Sequence, residues 1–247
     1  MIGLQLALAA EAVALLEALS GRRDDMVCGR PVVTGRLAGH EVLLAVSGIG
    51  KVAAAMTATL LVRRASVVLV VGTAGGLSMA VAPGDIVVAT AALQHDLDAR
   101  PLVGRWQQPE AGISRFPTAE DWTAALLAAA DGVAGVGAVV PGVGWVERRR
   151  HVGLVVSGDR FINSHEVAQR LRDDLPEALA VDMESAAVAQ VCRAAGVPCG
   201  IVRTVSDHAD SDAGVDFDQF LASAAPLHRD LVMKALIGFF DPTAAAG

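Results

Sequence analysis

The chain has 247 residues, 53% of them hydrophobic, and a mean hydropathy of +0.47, which suits one large, well-buried domain over residues 1–247. A formal charge of −7 excludes the basic field that nucleic acid or an anionic membrane would select, and no apolar run reaches membrane-span length without a charge or a Gly/Pro break. The three cysteines, Cys28, Cys192 and Cys199, are odd in number and lack metal-ligand spacing, and two of them lie in apolar runs, so buried free thiols in a reducing cytoplasm are expected.

"IGLQLAL" from Ile2 reads as a buried strand, and "AEAVALLEAL" as the helix after it, with Val13, Leu16 and Leu19 as its apolar face. This apolar start is not expected to be a signal peptide, because it lacks a basic n-region and carries Glu11 and Glu17 at helical spacing. "RPVVTGRLAGHEVLLAVSGIG" predicts a pair of strands turning near Ala38 and Gly39 and ending in a glycine loop. "KVAAAMTATLLVRR" predicts a helix with Arg63 and Arg64 in its last turn, where cations suit the dipole. "SVVLVVGTAGGLS" predicts an apolar strand opening into a second glycine loop, and "PGDIVVATAAL" a further strand. From Gly104 to Thr118 the pattern is lost and a surface loop is expected. A helix over Trp122–Ala130 follows, then the arginines of "ERRRH" as a solvated turn, and the strand "HVGLVVSGD". A helix from Ser164 to Leu171, the strand "ALAV", the strand and loop "VPCGIVRTVSDHAD" and a closing helix from Phe217, broken at Pro226, complete the chain. The alternation implies a three-layer αβα sandwich around a mixed, twisted central sheet, with ligands gathered at the strand C-termini.

Polar residues interrupt the apolar strands at those ends: Glu11, Thr73, the Asp159-Arg160-Phe161 run, Met183 with Glu184, and Arg203, Ser206 and Asp207. Each has a plain structural reading. Glu11 and Glu184 would favour a helix N-terminus, Asp207 would cap a turn, Phe161 would fill core, and "GTAGG" would make a tight turn. Their shared placement at one rim is what points to a site.

"SGIGKVAAAMTATLL", "GTAGGL", "HDLDARP", "SGDRFIN", "AVDMESAAVAQVC" and "VRTVSDHAD" together resemble the nucleoside phosphorylase/nucleosidase superfamily, most of all its 5'-methylthioadenosine/S-adenosylhomocysteine nucleosidase branch. The likeness spans nearly the whole chain. It implies hydrolysis of the N-ribosidic bond of 5'-substituted adenine nucleosides, among them 5'-methylthioadenosine, S-adenosylhomocysteine and 5'-deoxyadenosine. Such a reaction protonates the base, stabilises a cation-like ribose carbon and activates water on the opposite face. The resemblance assigns Asp207 to the adenine N7 edge as general acid, whose pKa a water-excluding pocket would raise, with Ser206 orienting it. It assigns Glu184 to the ribose hydroxyls, Met183 to the face of the sugar and Glu11 to the attacking water, with Arg203 orienting Glu11, the water or the ribose. Phe161 is implied to stack on the purine and Ile162 to offer backbone groups to its edge, while Ile49 and Phe217 line the 5' substituent. Thr73 stands where these relatives have serine, and keeps the hydroxyl. Strand alternation aims Asp182 away from this group.

His95, His208 and the remaining histidines lack metal-ligand spacing, so no metal and no cofactor are expected, while the resemblance implies a homodimer with His95–Trp106 near the interface. Leu102 and Trp106 fall where the 5' pocket is shaped, and that region carries the weakest likeness, so deoxyfutalosine-type nucleosides stay open as substrates. Two other functions fit the same fold: a phosphate-dependent phosphorylase, and a non-catalytic adenine-nucleoside sensor. No arginine or lysine accompanies "GTAGG", and a carboxylate at the nucleophile position would repel phosphate, which favours hydrolysis.

Overall fold

The computed structural model describes residues 1–209 and 217–241. Their strands are β1 (Ile2–Leu6), β2 (Ser20–Val27), β3 (Arg30–Leu37), β4 (His40–Val46), β5 (Val67–Gly76), β6 (Ile86–Gln94), β7 (Arg115–Pro117), β8 (Gly137–Val140), β9 (Gly144–Glu147), β10 (Arg150–Ser157), β11 (Ala178–Asp182) and β12 (Cys199–Asp207). The helices are α1 (Ala9–Ala18), α2 (Lys51–Leu61), α3 (Glu120–Asp131), α4 (His165–Asp174), α5 (Ser185–Ala195) and α6 (Phe217–Phe240).

The main sheet runs β11-β10-β6-β12-β5-β1-β4-β3-β2 and mixes parallel with antiparallel pairs. Helices α1, α3 and α6 cover one face around Leu4, Leu15, Leu69, Leu126 and Leu231, all fully buried. Helices α2 and α5 cover the other around Ala54, Leu61, Val68, Val188 and Ile201. This is the expected sandwich. Burial of β-branched runs on both faces explains why β5 and β12 read as continuous apolar stretches. None of the described helices is long and apolar enough to cross a membrane.

Several expectations need correction. "GTAGG" is not a loop: β5 runs on to Gly76, where Gly75 and Gly76 pair antiparallel with Val181 and Ala180 of β11 while Thr73 pairs with Thr204 of β12. That extra pairing closes β5, β12, β6, β10 and β11 on themselves and draws three strand ends together. Helix α1 buries Ala12 and Leu15 with Leu19 beyond its end, whereas Val13 is exposed; the docked face lies one residue away from the predicted stripe because Glu11 is turned inward. Arg63 and Arg64 lie past the end of α2. Within 104–118 the short β7 pairs with β6 and buries Phe116. Arg150 of "ERRRH" belongs to β10 rather than to a turn. Helix α6 continues through Pro226, because its buried Leu227, Leu231, Val232 and Leu236 outweigh a proline cost of about 3 kcal/mol.

Candidate active site

Glu11 sits in the first turn of α1, buried to 1% exposure. Its Oε2 accepts N–H groups from Ala7 (3.2 Å) and Leu8 (3.0 Å), so it does serve the helix N-terminus. Its Oε1 reaches across to β5 and accepts the Thr73 N–H at 2.8 Å and the Thr73 hydroxyl at 3.0 Å. These four donors fill the carboxylate's acceptor sites, and among them only the Thr73 hydroxyl sits on a rotatable side chain. Gly72 leaves room for this approach. A Cβ there would stand 2.5 Å from Arg203 Nη1 and 2.8 Å from Glu11 Oε1.

Arg203 on β12 is likewise buried to 1%. Its Nε pairs with Asp182 Oδ2 at 2.8 Å, Nε and Nη2 donate to Ser185 Oγ at 3.1 and 3.0 Å, and Nη1 donates to the Thr73 carbonyl at 3.3 Å. Asp182 also takes the hydroxyls of Ser157 and Ser185 and the N–H groups of Glu184 and Ser185, which begins α5. Strand alternation was expected to aim Asp182 away from Met183 and the site, yet it borders the same cavity and enters this buried cluster, where it lies closer to the guanidinium than Glu184 does. Sequence reasoning set it aside, and the usable signal was that a buried arginine requires a close, fully hydrogen-bonded counterion. Burial opposes the charge of Arg203, yet Asp182, Glu184 and Glu11 together hold its pKa above the ordinary value.

Glu184 precedes α5 and accepts the Gly50 N–H at 2.9 Å through Oε1. Its Oε2 stands 3.7 Å from Arg203 Nη2, a weaker contact than Asp182 enjoys. Burial therefore dominates over the arginine, with Asp182 and Glu11 adding repulsion, and the carboxyl is pushed up to about 7. Gly50 holds φ at 95°, and a Cβ there would lie 3.0 Å from Asp159 Oδ1, so both the backbone angle and the space call for glycine.

At the end of β12, Ser206 donates to Asp207 Oδ2 at 2.5 Å and the Ala209 N–H donates to Oδ1 at 2.7 Å. The carboxylate thus caps a turn as well as facing the cavity. Glu11, Thr73, Asp182, Met183, Glu184, Arg203, Ser206 and Asp207 all border one cavity enclosing about 650 Å³, part of it continuous with solvent. Phe161, Ile162 and Ile49 line the same cavity; Ile162 is buried, while Phe161 and Ile49 stay 46% and 58% exposed at the mouth. Ten of the eleven site residues expected from the sequence therefore meet around one space. The eleventh, Phe217, opens α6, and its side chain lies outside the described residues. The predicted loop residue Trp106 does not reach this wall; its indole N–H donates to the His95 carbonyl at 3.0 Å, folding the segment onto itself.

The family model described as Phosphorylase superfamily matches residues 2–237. Among solved structures, the 5'-methylthioadenosine/S-adenosylhomocysteine nucleosidase from Neisseria meningitidis, in complex with methylthio-immucillin-A, is 33% identical with a TM-score of 0.85, covering 95% of this chain and 97% of that one. The corresponding nucleosidase from Colwellia psychrerythraea 34H, in complex with adenine, is 30% identical with a TM-score of 0.86, covering 95% and 93%. An S-adenosylhomocysteine nucleosidase from Streptococcus pyogenes, in complex with 5-methylthiotubericidin, is 30% identical with a TM-score of 0.84, covering 95% of each.

Proposed function

The chain belongs to the phosphorylase superfamily, in its 5'-methylthioadenosine/S-adenosylhomocysteine nucleosidase branch, and from that premise we propose how its residues carry out the chemistry. It hydrolyses the N-ribosidic bond of 5'-substituted adenine nucleosides and releases adenine. In the mechanism we favour, Asp207 donates a proton to adenine N7 as the C1'–N9 bond breaks. Glu184 accepts the ribose hydroxyls, and its negative charge stabilises the cation-like sugar carbon. Glu11 takes the proton from a water that forms the new C1'–O bond, after the Thr73 hydroxyl has swung aside. Met183 lies against the sugar, Phe161 stacks on the purine, and Ile162 offers it backbone groups.

The observation that carries this reading is the convergence of Glu11, Glu184 and Asp207 on one cavity. The same geometry disfavours phosphate as nucleophile. Glu11 occupies the attacking side, and Arg203 is already committed to Asp182 and Ser185. The other cation on the described wall, Arg160, is exposed at the rim. A dianion beside the buried Glu11 carboxylate would meet repulsion that water does not. A non-catalytic sensor would have no use for a buried base tied to a rotatable hydroxyl.

The exposed mouth supports a homodimer. Ile49 and Phe161, together with Val52 (81% exposed) and Met56 (38%) on one face of α2, leave apolar surface that a second copy would cover, excluding water from the reacting bond. The buried thiols of Cys192 and Cys199 suit a cytoplasmic setting, and the substrates suit methionine salvage. The deciding experiment is a panel of 5'-substituted adenosines assayed for free adenine with and without phosphate. Adenine release in phosphate-free buffer is expected, and strict phosphate dependence would overturn the hydrolytic assignment. The Asp207→Asn chain is expected to bind substrate but lose on the order of 10²–10⁴-fold in turnover. Sedimentation of a monomer at micromolar concentration would remove the dimer.

A further inference from the structure

Lys51, Asp96 and Asp159 come from three separate segments: the N-terminus of α2, the turn after β6, and the turn after β10. Lys51 Nζ donates to Asp96 Oδ1 at 2.6 Å, the Asp159 N–H donates to Asp96 Oδ2 at 2.9 Å, and the Lys51 N–H donates to Asp159 Oδ1 at 2.7 Å. The contacts close a ring. Gln94 extends it, accepting from Lys51 Nζ at 3.1 Å and donating to Gln190 of α5 at 2.5 Å. Burial raises the Asp96 pKa, but its bonds from Lys51 and the Asp159 N–H outweigh that and hold it below the ordinary carboxylate value. The Lys51 side chain is 19% exposed and that of Asp96 31%, so solvent screening of the pair is incomplete.

The ring's position gives it meaning. Lys51 follows Gly50, whose N–H holds Glu184, and Ile49 on the cavity wall. Asp159 precedes Arg160, Phe161 and Ile162, which also line the cavity. Asp96 belongs to the "HDLDARP" motif and touches no part of the cavity. We propose that Lys51, Asp96 and Asp159 form a positioning ring that holds the purine wall at a fixed distance from the ribose wall, setting binding of both the nucleoside and adenine while leaving bond cleavage to other residues. This rests on the nucleosidase reading above. None of the three is a catalytic residue, since each acts through a neighbour: Gly50 and Glu184 on one side, Phe161 and Ile162 on the other. An ordered ring assembles these walls before the ligand arrives, so binding spends less on fixing loops.

The test uses the full chain as wild type and as K51M, D96N and K51M/D96N, with 5'-methylthioadenosine hydrolysis and calorimetric adenine binding measured on each. Each single variant should raise KM and the adenine Kd roughly tenfold, the loss expected of a charge-assisted hydrogen bond, with kcat within about threefold of wild type. The double variant should lose no more than the worse single one, because opening a ring twice adds little. Lys51→Arg should recover part of the loss. If K51M or D96N does not fold, D159A removes an exposed side chain, keeps the residue's N–H, and is expected to give the same split. Unchanged KM and Kd, additive losses, or a fall in kcat at constant KM would overturn the ring. A wild-type chain that binds adenine without turnover would overturn the nucleosidase reading instead, and the adenine Kd series would still decide the ring. A wild-type chain that does not bind adenine overturns both.

Discussion

Lowering the pH from 8 to 6 should weaken 5'-methylthioadenosine binding about tenfold, because the carboxyl that receives the ribose hydroxyls has its pKa in that interval. Glu184 is pushed up to about 7, chiefly by burial. Arg203 pulls the other way, but its guanidinium lies 2.8 Å from Asp182 and 3.7 Å from Glu184, so most of its attraction goes to Asp182. If the diol binds only the ionised form, apparent affinity scales with the ionised fraction, about ten in eleven at pH 8 and about one in eleven at pH 6. The sign for folding is opposite. The native state holds this proton more tightly than the unfolded chain, whose pKa is 4.5. Stability from this group is therefore full below 4.5 and falls as pH rises toward 7, by roughly 3 kcal/mol at most. Calorimetry in the Asp207→Asn background, where the nucleoside survives, measures the binding directly. Binding at pH 7 should release about half a proton per nucleoside, seen as a dependence of apparent enthalpy on the buffer's ionisation heat. Adenine, lacking the ribose, should show neither effect. A flat nucleoside affinity from pH 6 to 8, or an equal slope for adenine, would refute the reasoning.

Asp182→Asn should cost about 3–5 kcal/mol of stability, because it leaves Arg203 buried without its closest charge. Thermal unfolding checks this, and a loss under 1 kcal/mol would mean that Glu184 and Glu11 already neutralise the arginine. Thr73→Val removes the hydroxyl at 3.0 Å from Glu11 but keeps the backbone donor at 2.8 Å. Because that hydroxyl must leave Glu11 before water can bind, its loss should cost less than about tenfold in turnover; a larger fall in the valine chain, with Thr73→Ser near wild type, would show that the hydroxyl stays on Glu11 through the reaction.

Much of the fold was legible along the chain because apolar runs such as "SVVLVV" and "CGIV" can only be buried, and a helix pattern between them can only pack across. The unread elements lack that mark. β2 is exposed along almost its whole length, and the β8–β9 hairpin leaves Val139 and Trp145 71% exposed, so no alternation announces either. Glu11, Glu184 and Asp207 were found because carboxylates at strand ends are conspicuous and the flanking motifs resemble a known family. Asp182 was set aside because strand alternation was taken to aim it away from the cavity, whereas it both borders the cavity and packs into a polar core around Arg203. The residues of the Lys51 ring lie in motifs quoted for the family resemblance, but nothing in those stretches showed that the three meet. Local chemistry decides which residues are apolar, which backbone positions tolerate only glycine, and which side chains can carry a proton. Which carboxylate takes the arginine, and hence which one titrates near neutrality, is a matter of about 1 Å across strands far apart in sequence. Coulomb attraction in a buried site changes steeply over that distance, and only the closing of β5 onto β11 and β12 sets it.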